Sequence, residues 1–198
     1  MTKLDKTKGG AALYQLKITL RYSKPPIWRR VLVRGDMPLD RLHQVIQVVM
    51  GWTDSHMHQF VADGTFYGMT DPGFGASETE TMNERKFTVA ALAPDAKQRF
   101  IYEYDFGDSW EHDVLVERVL PPESGFTHPV CLAGKNNCPP DDCGGIGGYY
   151  NLLEAIADPH HPEHDDLKEW LNEDFDPAFF DLAAKNAALK RVGGRGWS

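Results

Sequence analysis

Three groups of residues in this chain combine side-chain types and spacings that can do chemistry. The first is the run Tyr102-Glu-Tyr-Asp-Phe-Gly-Asp-Ser-Trp-Glu-His112. Strand alternation places Tyr102, Tyr104 and Phe106 on one face and Glu103 and Asp105 on the other. Beyond Gly107-Asp108, where both residue types suit a tight turn, Trp110, His112, Val114 and Val116 share a face. Asp105, Asp108 and His112 then meet near the hairpin end, where His58 from a neighbouring strand can join them. Carboxylates and imidazoles in a concave site suit divalent-metal or general acid–base chemistry, so His58, Asp105, Asp108 and His112 are the candidate catalytic set. The competing role is structural. Asp105 would accept backbone N–H groups, and His112 would be an internally satisfied sheet residue.

The second group is Cys131, Cys138 and Cys143, with His128 three residues ahead of the first. Thiolates are good zinc ligands, and a closed structural site takes four, which His128 would complete; zinc is the cofactor this set would hold. The spacing matches no standard zinc pattern, and no Cys-x-x-Cys pair is present. Buried reduced cysteines serving as small hydrophobes are the alternative. No adjacent base marks any of them as a nucleophile. The third group is Pro139-Pro-Asp-Asp-Cys-Gly-Gly-Ile-Gly-Gly148. Glycines before a helix can cradle an anion, but no lysine follows in the P-loop position. A loop wound against the hairpin is the expected role. Tyr104, Phe106, Trp110, Gly144, Gly145 and Tyr149 then form the candidate binding surface. His56, near His58, is expected at a core boundary, and the His-rich stretch from Asp158 to His164 as an exposed connection between helices.

The elements that must position these residues follow from periodicity. Apolar residues alternate from Tyr14 to Leu20 and again from Ile27 to Val33, across the break Ser23-Lys24-Pro25-Pro26, which predicts a hairpin. Pro38 opens a helix carrying Leu39, Leu42, Val45, Ile46 and Val49, which Gly51 ends. A third strand is predicted over 56–63, a loop over 66–85, and a short helix capped by Thr88. Strands over 99–106 and 109–120 form the second hairpin. An irregular stretch runs from Pro121 to Gly148. Helices are predicted over 149–157, 163–172 and 177–191, the last with Asp176 as its cap and Pro177 at its first position. Gly107 is expected at positive φ. The fold class is α+β: a twisted, largely antiparallel sheet, one helix between early strands, and a C-terminal cluster of three helices. Residues 1–12 are predicted as a flexible tail, 13–192 as a single domain and 193–198 as a loose end.

Composition narrows the function classes. The chain has 198 residues, 41% of them hydrophobic, enough for a core and too many for disorder. Its net charge of -8 disfavours general binding to duplex nucleic acid. One basic cluster, Arg21, Lys24, Arg29, Arg30 and Arg34, falls on two predicted strands and reads as a solvated sheet face. Neither a signal peptide nor a membrane span is expected. Three cysteines, an odd number, do not form a secreted disulfide framework, so a cytoplasmic location is expected.

Ile27-Trp-Arg-Arg30, the helix from Leu39 to Trp52, His56-x-His-x-Phe60, Tyr104-Asp-Phe-Gly-Asp-x-Trp-x-His112 and Cys131-Leu-x-Gly134 occur in order. Pro139-Pro-Asp-Asp-Cys-Gly-Gly145, Gly148-Tyr149 and Phe175-Asp-Pro177 complete the series. Together they resemble the plasmid pRiA4b ORF-3-like family, over about residues 13 to 190. That resemblance implies an association with plasmids and other mobile elements. Some similar proteins carry a TnpR resolvase label, but the nucleophilic Ser, Arg cluster and basic tail of a serine recombinase are not evident here. The leading expectation is a binding or adaptor module that presents the hairpin and Cys/Gly loop to a protein or nucleic-acid partner. A metal-dependent hydrolase or nuclease and a structural zinc protein are the alternatives.

Overall fold

The computed structural model describes residues 10–70, 81–171 and 175–192. Strands β1 (Leu13–Leu20), β2 (Trp28–Arg34), β3 (His58–Ala62), β4 (Thr65–Gly68), β5 (Thr81–Asn83), β6 (Arg99–Tyr104), β7 (Trp110–Leu120) and β8 (Val130–Lys135) form one sheet. Its order is β5-β4-β3-β6-β7-β1-β2-β8, antiparallel throughout except for β4 and β5. The helices are α1 (Leu39–Met50), α2 (Val89–Leu92), α3 (Gly145–Ala157), α4 (His164–Leu171) and α5 (Leu182–Val192). The α+β expectation holds.

Alternation produces a sheet with one dry face. Leu16 and Ile18 on β1, Val31 and Val33 on β2, and Val114 and Val116 on β7 are fully buried, as are Leu42, Val45, Ile46 and Val49 on α1. Burying a side chain of this size stabilises the fold by ~1.5–3 kcal/mol, so the sheet–helix seam is the main source of stability. Gly51 ends α1 at φ 109°, returning its N–H to the Gln47 carbonyl. The last turn of α1 has no basic residue of its own. Arg29 of β2 takes that place, donating from Nε to the Val49 carbonyl at 2.8 Å while its guanidinium lies over the Phe180 ring. A cation here complements the negative end of the helix.

Several local expectations change. Strands β4, β5 and β8 lie where loop was predicted, because short strands are stabilised by their neighbours rather than by their own pattern. Edge strand β8 is covered by α5, whose Asn186 accepts from the Cys131 N–H at 2.8 Å and donates to its carbonyl at 2.9 Å. This side chain stands in for a further strand and blunts the edge. The last helix begins at Leu182, and the cap is Asp181, which accepts from the Ala184 N–H; Asp176 instead closes a separate turn. Thr88 caps α2 as expected, accepting from the Ala91 N–H. Positive φ in the second hairpin falls on Asp105 and Ser109, not on Gly107. The predicted tail over 1–12 and loop over 66–85 lie partly outside the described residues, as does Asn172; the end segment 193–198 lies wholly outside.

The basic cluster separates by face. Arg21 pairs with Glu111 and Asp113, Arg30 with Glu117, and Arg34 with Asp36, while Arg29 points into the core. Charges already matched by neighbouring carboxylates offer little to a phosphate backbone. No helix among the described residues is long and apolar enough to cross a membrane.

Candidate functional site

Three segments far apart in sequence meet at one end of the sheet. They are the 52–57 connection after α1, the turn between β6 and β7, and the 139–145 loop before α3. Trp52 ties them together: its ring stacks on Tyr104 at 4.9 Å and its Nε1 donates to the Pro139 carbonyl at 3.0 Å. Asp108 accepts from the Gly144 N–H at 3.1 Å, and Asp141 accepts from the Thr53 hydroxyl at 3.1 Å. The Cys/Gly loop is therefore docked on the hairpin, and Gly145 permits the approach. A Cβ there would lie 2.5 Å from the Asp108 carbonyl oxygen.

The four candidate catalytic residues do not face one space. Asp105 accepts from the Gly107 N–H at 2.9 Å and lies 3.7 Å from His56. Asp108 is committed to the loop. His112 is fully buried, with Nδ1 3.3 Å from the Tyr102 carbonyl, and burial pulls its pKa down to about 4. His58 is buried and holds Glu84 at 2.8 Å. Its ring stacks on His43 at 3.4 Å, with planes 4° apart. His43 in turn bridges the Tyr102 hydroxyl at 2.8 Å and Asp54 at 2.6 Å. Burial, and secondarily the adjacent His58, hold the His43 pKa below its ordinary value. A neutral His43 with its proton on Nε2 donates to Asp54 and accepts from Tyr102, which satisfies both ring nitrogens. These groups form an interior polar network that joins α1 to the sheet and to the 52–57 connection. Removing Glu84 leaves a buried imidazole nitrogen unpaired, so Glu84→Ala should lower stability by roughly 3 kcal/mol in urea denaturation.

Of the six residues expected on a binding surface, Phe106 and Gly144 are exposed. Tyr104, Trp110, Tyr149 and Gly145 are buried. Strand alternation continues only to Tyr104, and the left-handed Asp105, whose N–H donates to the Met57 carbonyl at 2.8 Å, swings Phe106 out to 46% exposure; Met57 is 45% exposed. Cys131 and Cys138 are buried beside Arg29, while Cys143 is half-buried near Asp108. Burial raises all three thiol pKa values, that of Cys143 to about 12, so none is a ready thiolate. His128 bonds its neighbour Thr127 at 3.1 Å. Among the described residues, the set of His, Cys, Asp and Glu side chains whose donor atoms converge is His56, Asp105 and Asp142, all within 4.8 Å of one another. The cysteines and His128 make no such set. Sequence reasoning assigned His56 no role in a site, since the predicted strand over 56–63 begins with it, whereas β3 begins at His58; Asp142, in an irregular loop, was not singled out.

Beside Asp142 a cleft of about 330 Å³ opens between α3 and α4. Leu152, Leu167 and Trp170 make its apolar wall, and Asp142 and Glu163 are also among its lining residues.

The fold and this sheet end define a two-layer α+β domain whose motif residues are gathered by three loops rather than by a strand-borne catalytic cluster. The chain belongs to the plasmid pRiA4b ORF-3-like family, whose model matches residues 12–184. It is similar to the uncharacterized protein y4hQ of Sinorhizobium fredii (strain NBRC 101917 / NGR234), with 37% identity covering 90% of this chain and 91% of that one. It is also similar to the crystal structure of MM3350, a protein of unknown function from Methanosarcina mazei Go1. That match has a TM-score of 0.79 and 34% identity, and covers 90% of this chain and 98% of that chain.

Proposed function

We propose that this protein is a binding module that engages a segment of a partner protein across the open end of the sheet. The observation that carries the reading is the cleft between α3 and α4 beside the docked Cys/Gly loop. Its wall of Leu152, Leu167 and Trp170 suits an apolar side chain, and Met57 and Phe106 are exposed on the other two segments of the same sheet end. Large apolar and aromatic groups next to a rigid polar rim are the usual anchors of protein recognition. A protein partner fits better than a nucleic acid. The sheet end carries Asp54, Asp108, Asp141 and Asp142, and most of the early basic cluster is already paired.

Site-specific photo-crosslinking in the native host tests this. A benzoylphenylalanine at position 106 should yield a discrete protein adduct that the same probe at Gln98, at the far end of β6, does not. Trp170→Ala should abolish that adduct. A nucleic-acid adduct, the same adducts from both positions, or no adduct from position 106 would overturn the reading.

A further inference from the structure

We infer that His56, Asp105 and Asp142 bind a divalent first-row cation, of the Zn²⁺ or Mn²⁺ class, at the junction of the three loops. One residue comes from each segment: His56 from the connection after α1, Asp105 from the hairpin turn, and Asp142 from the Cys/Gly loop. His56 lies between the carboxylates, with Nδ1 3.7 Å from Asp105 Oδ2 and Nε2 3.1 Å from Asp142 Oδ1. Ligands around one such ion stand about 3–4 Å apart, given bonds of ~2.1 Å. A single ion would take only one ring nitrogen; with one donor atom from each residue, the three lie within 4.8 Å of one another, so side-chain movements of about 1 Å bring them to ligand spacing.

A second observation separates this from an ordinary ion-pair cluster. His56 Nε2 is shut off from solvent, and despite its closeness to Asp142 it makes no hydrogen bond. An orphaned imidazole nitrogen 3.1 Å from the Asp142 carboxylate, with Asp105 on the ring's other side, is a group that a cation would satisfy. One imidazole with two carboxylates favours the borderline cations over Ca²⁺ or Mg²⁺, which prefer oxygen ligands throughout. Three protein ligands leave coordination positions free for water or for a ligand group, as in open rather than closed metal sites. Asp142 also lines the α3–α4 cleft, so those free positions lie next to it. Cation binding here requires no partner protein.

Isothermal titration of chelator-treated full-length protein with MnCl₂ and, separately, ZnCl₂ at pH 7.5 tests the inference. We expect one ion per chain and a higher melting temperature in its presence. His56→Ala and Asp142→Asn should each weaken binding at least ~10-fold and abolish the thermal shift. Both positions are partly exposed, so the variants should fold, and unchanged circular dichroism will establish that they have. The double variant His160→Ala/His161→Ala, which removes one exposed and one half-buried imidazole between α3 and α4, should bind as the parent does. No measurable binding would overturn the inference and leave only an ion-pair cluster. Binding retained in both His56→Ala and Asp142→Asn, or lost instead in the His160/His161 variant, would overturn it equally.

Discussion

Lowering the pH from 6.5 to about 4 should cost the native state ~3 kcal/mol through His112 alone. The imidazole is completely buried, and desolvation disfavours its charged form; nearby Arg29 acts in the same direction, against backbone hydrogen bonds that favour the charge. The folded-state pKa therefore lies below the unfolded value of 6.5. Above pH 6.5 both states are neutral and His112 contributes no slope. Below it the unfolded chain takes up a proton that the folded chain refuses, and stability falls by ~1.4 kcal/mol per pH unit until the folded pKa is reached. His43, whose pKa is also lowered by burial, acts with the same sign. Urea denaturation of the parent and of His112→Leu at several pH values between 4 and 7.5 isolates the effect. The variant's stability should depend on pH less steeply by close to that amount. Parallel curves would mean that the imidazole titrates normally and is not enclosed as described.

Two adjacent glycines of α3 should respond to alanine in opposite directions. A Cβ at Gly148 would collide with the carbonyl of Cys143, a backbone atom of the docked loop. That carbonyl cannot rotate away as a side chain would. Gly148→Ala should therefore displace the Cys/Gly loop and destabilise the protein by ~3 kcal/mol or more. At Gly147 nothing lies within 4 Å of the added carbon, and the residue is helical. Gly147→Ala should stabilise by ~0.5–1 kcal/mol, because alanine loses less backbone entropy in a helix. Thermal melts of the two single variants decide the matter. Equal effects would show that the loop does not press on this helix turn. Gly148→Ala should also weaken the Asp108–Gly144 contact that holds the loop to the hairpin, visible as faster amide exchange at Gly144.

Much of the frame was legible in the residues. Period-two alternation in β1, β2, β6 and β7 and the helical spacing from Leu39 to Val49 are written locally, since each apolar stripe commits its element to one buried face. Gly51 and Thr88 act through their own backbone and side-chain hydrogen bonds, and both ended or opened helices where expected. Alternation also grouped Trp110 with His112, Val114 and Val116. It could say that they share a face, but not that Trp52, from the connection after α1, would pack on both Trp110 and His112 or that both would be buried.

Tertiary structure decided the rest. β4 and β5 are too short to carry a pattern, β8 is as long as β6 but does not bury in alternation, and the pairing of all three depends on neighbours up to about a hundred residues away. The expected meeting of His58, Asp105, Asp108 and His112 did not occur, because each found a different partner. Glu84 came from a segment read as loop and took His58, while the Gly144 backbone took Asp108. His56 and Asp142 belong to irregular segments, where residue order says little about direction in space. The sequence by itself determined which faces must be buried and where two of the helix boundaries must fall, since propensity, capping and apolar spacing act within a few residues. Only the folded chain decided which of three distant loops meet, because that choice depends on hydrogen bonds and close approaches between segments with no local relation to one another.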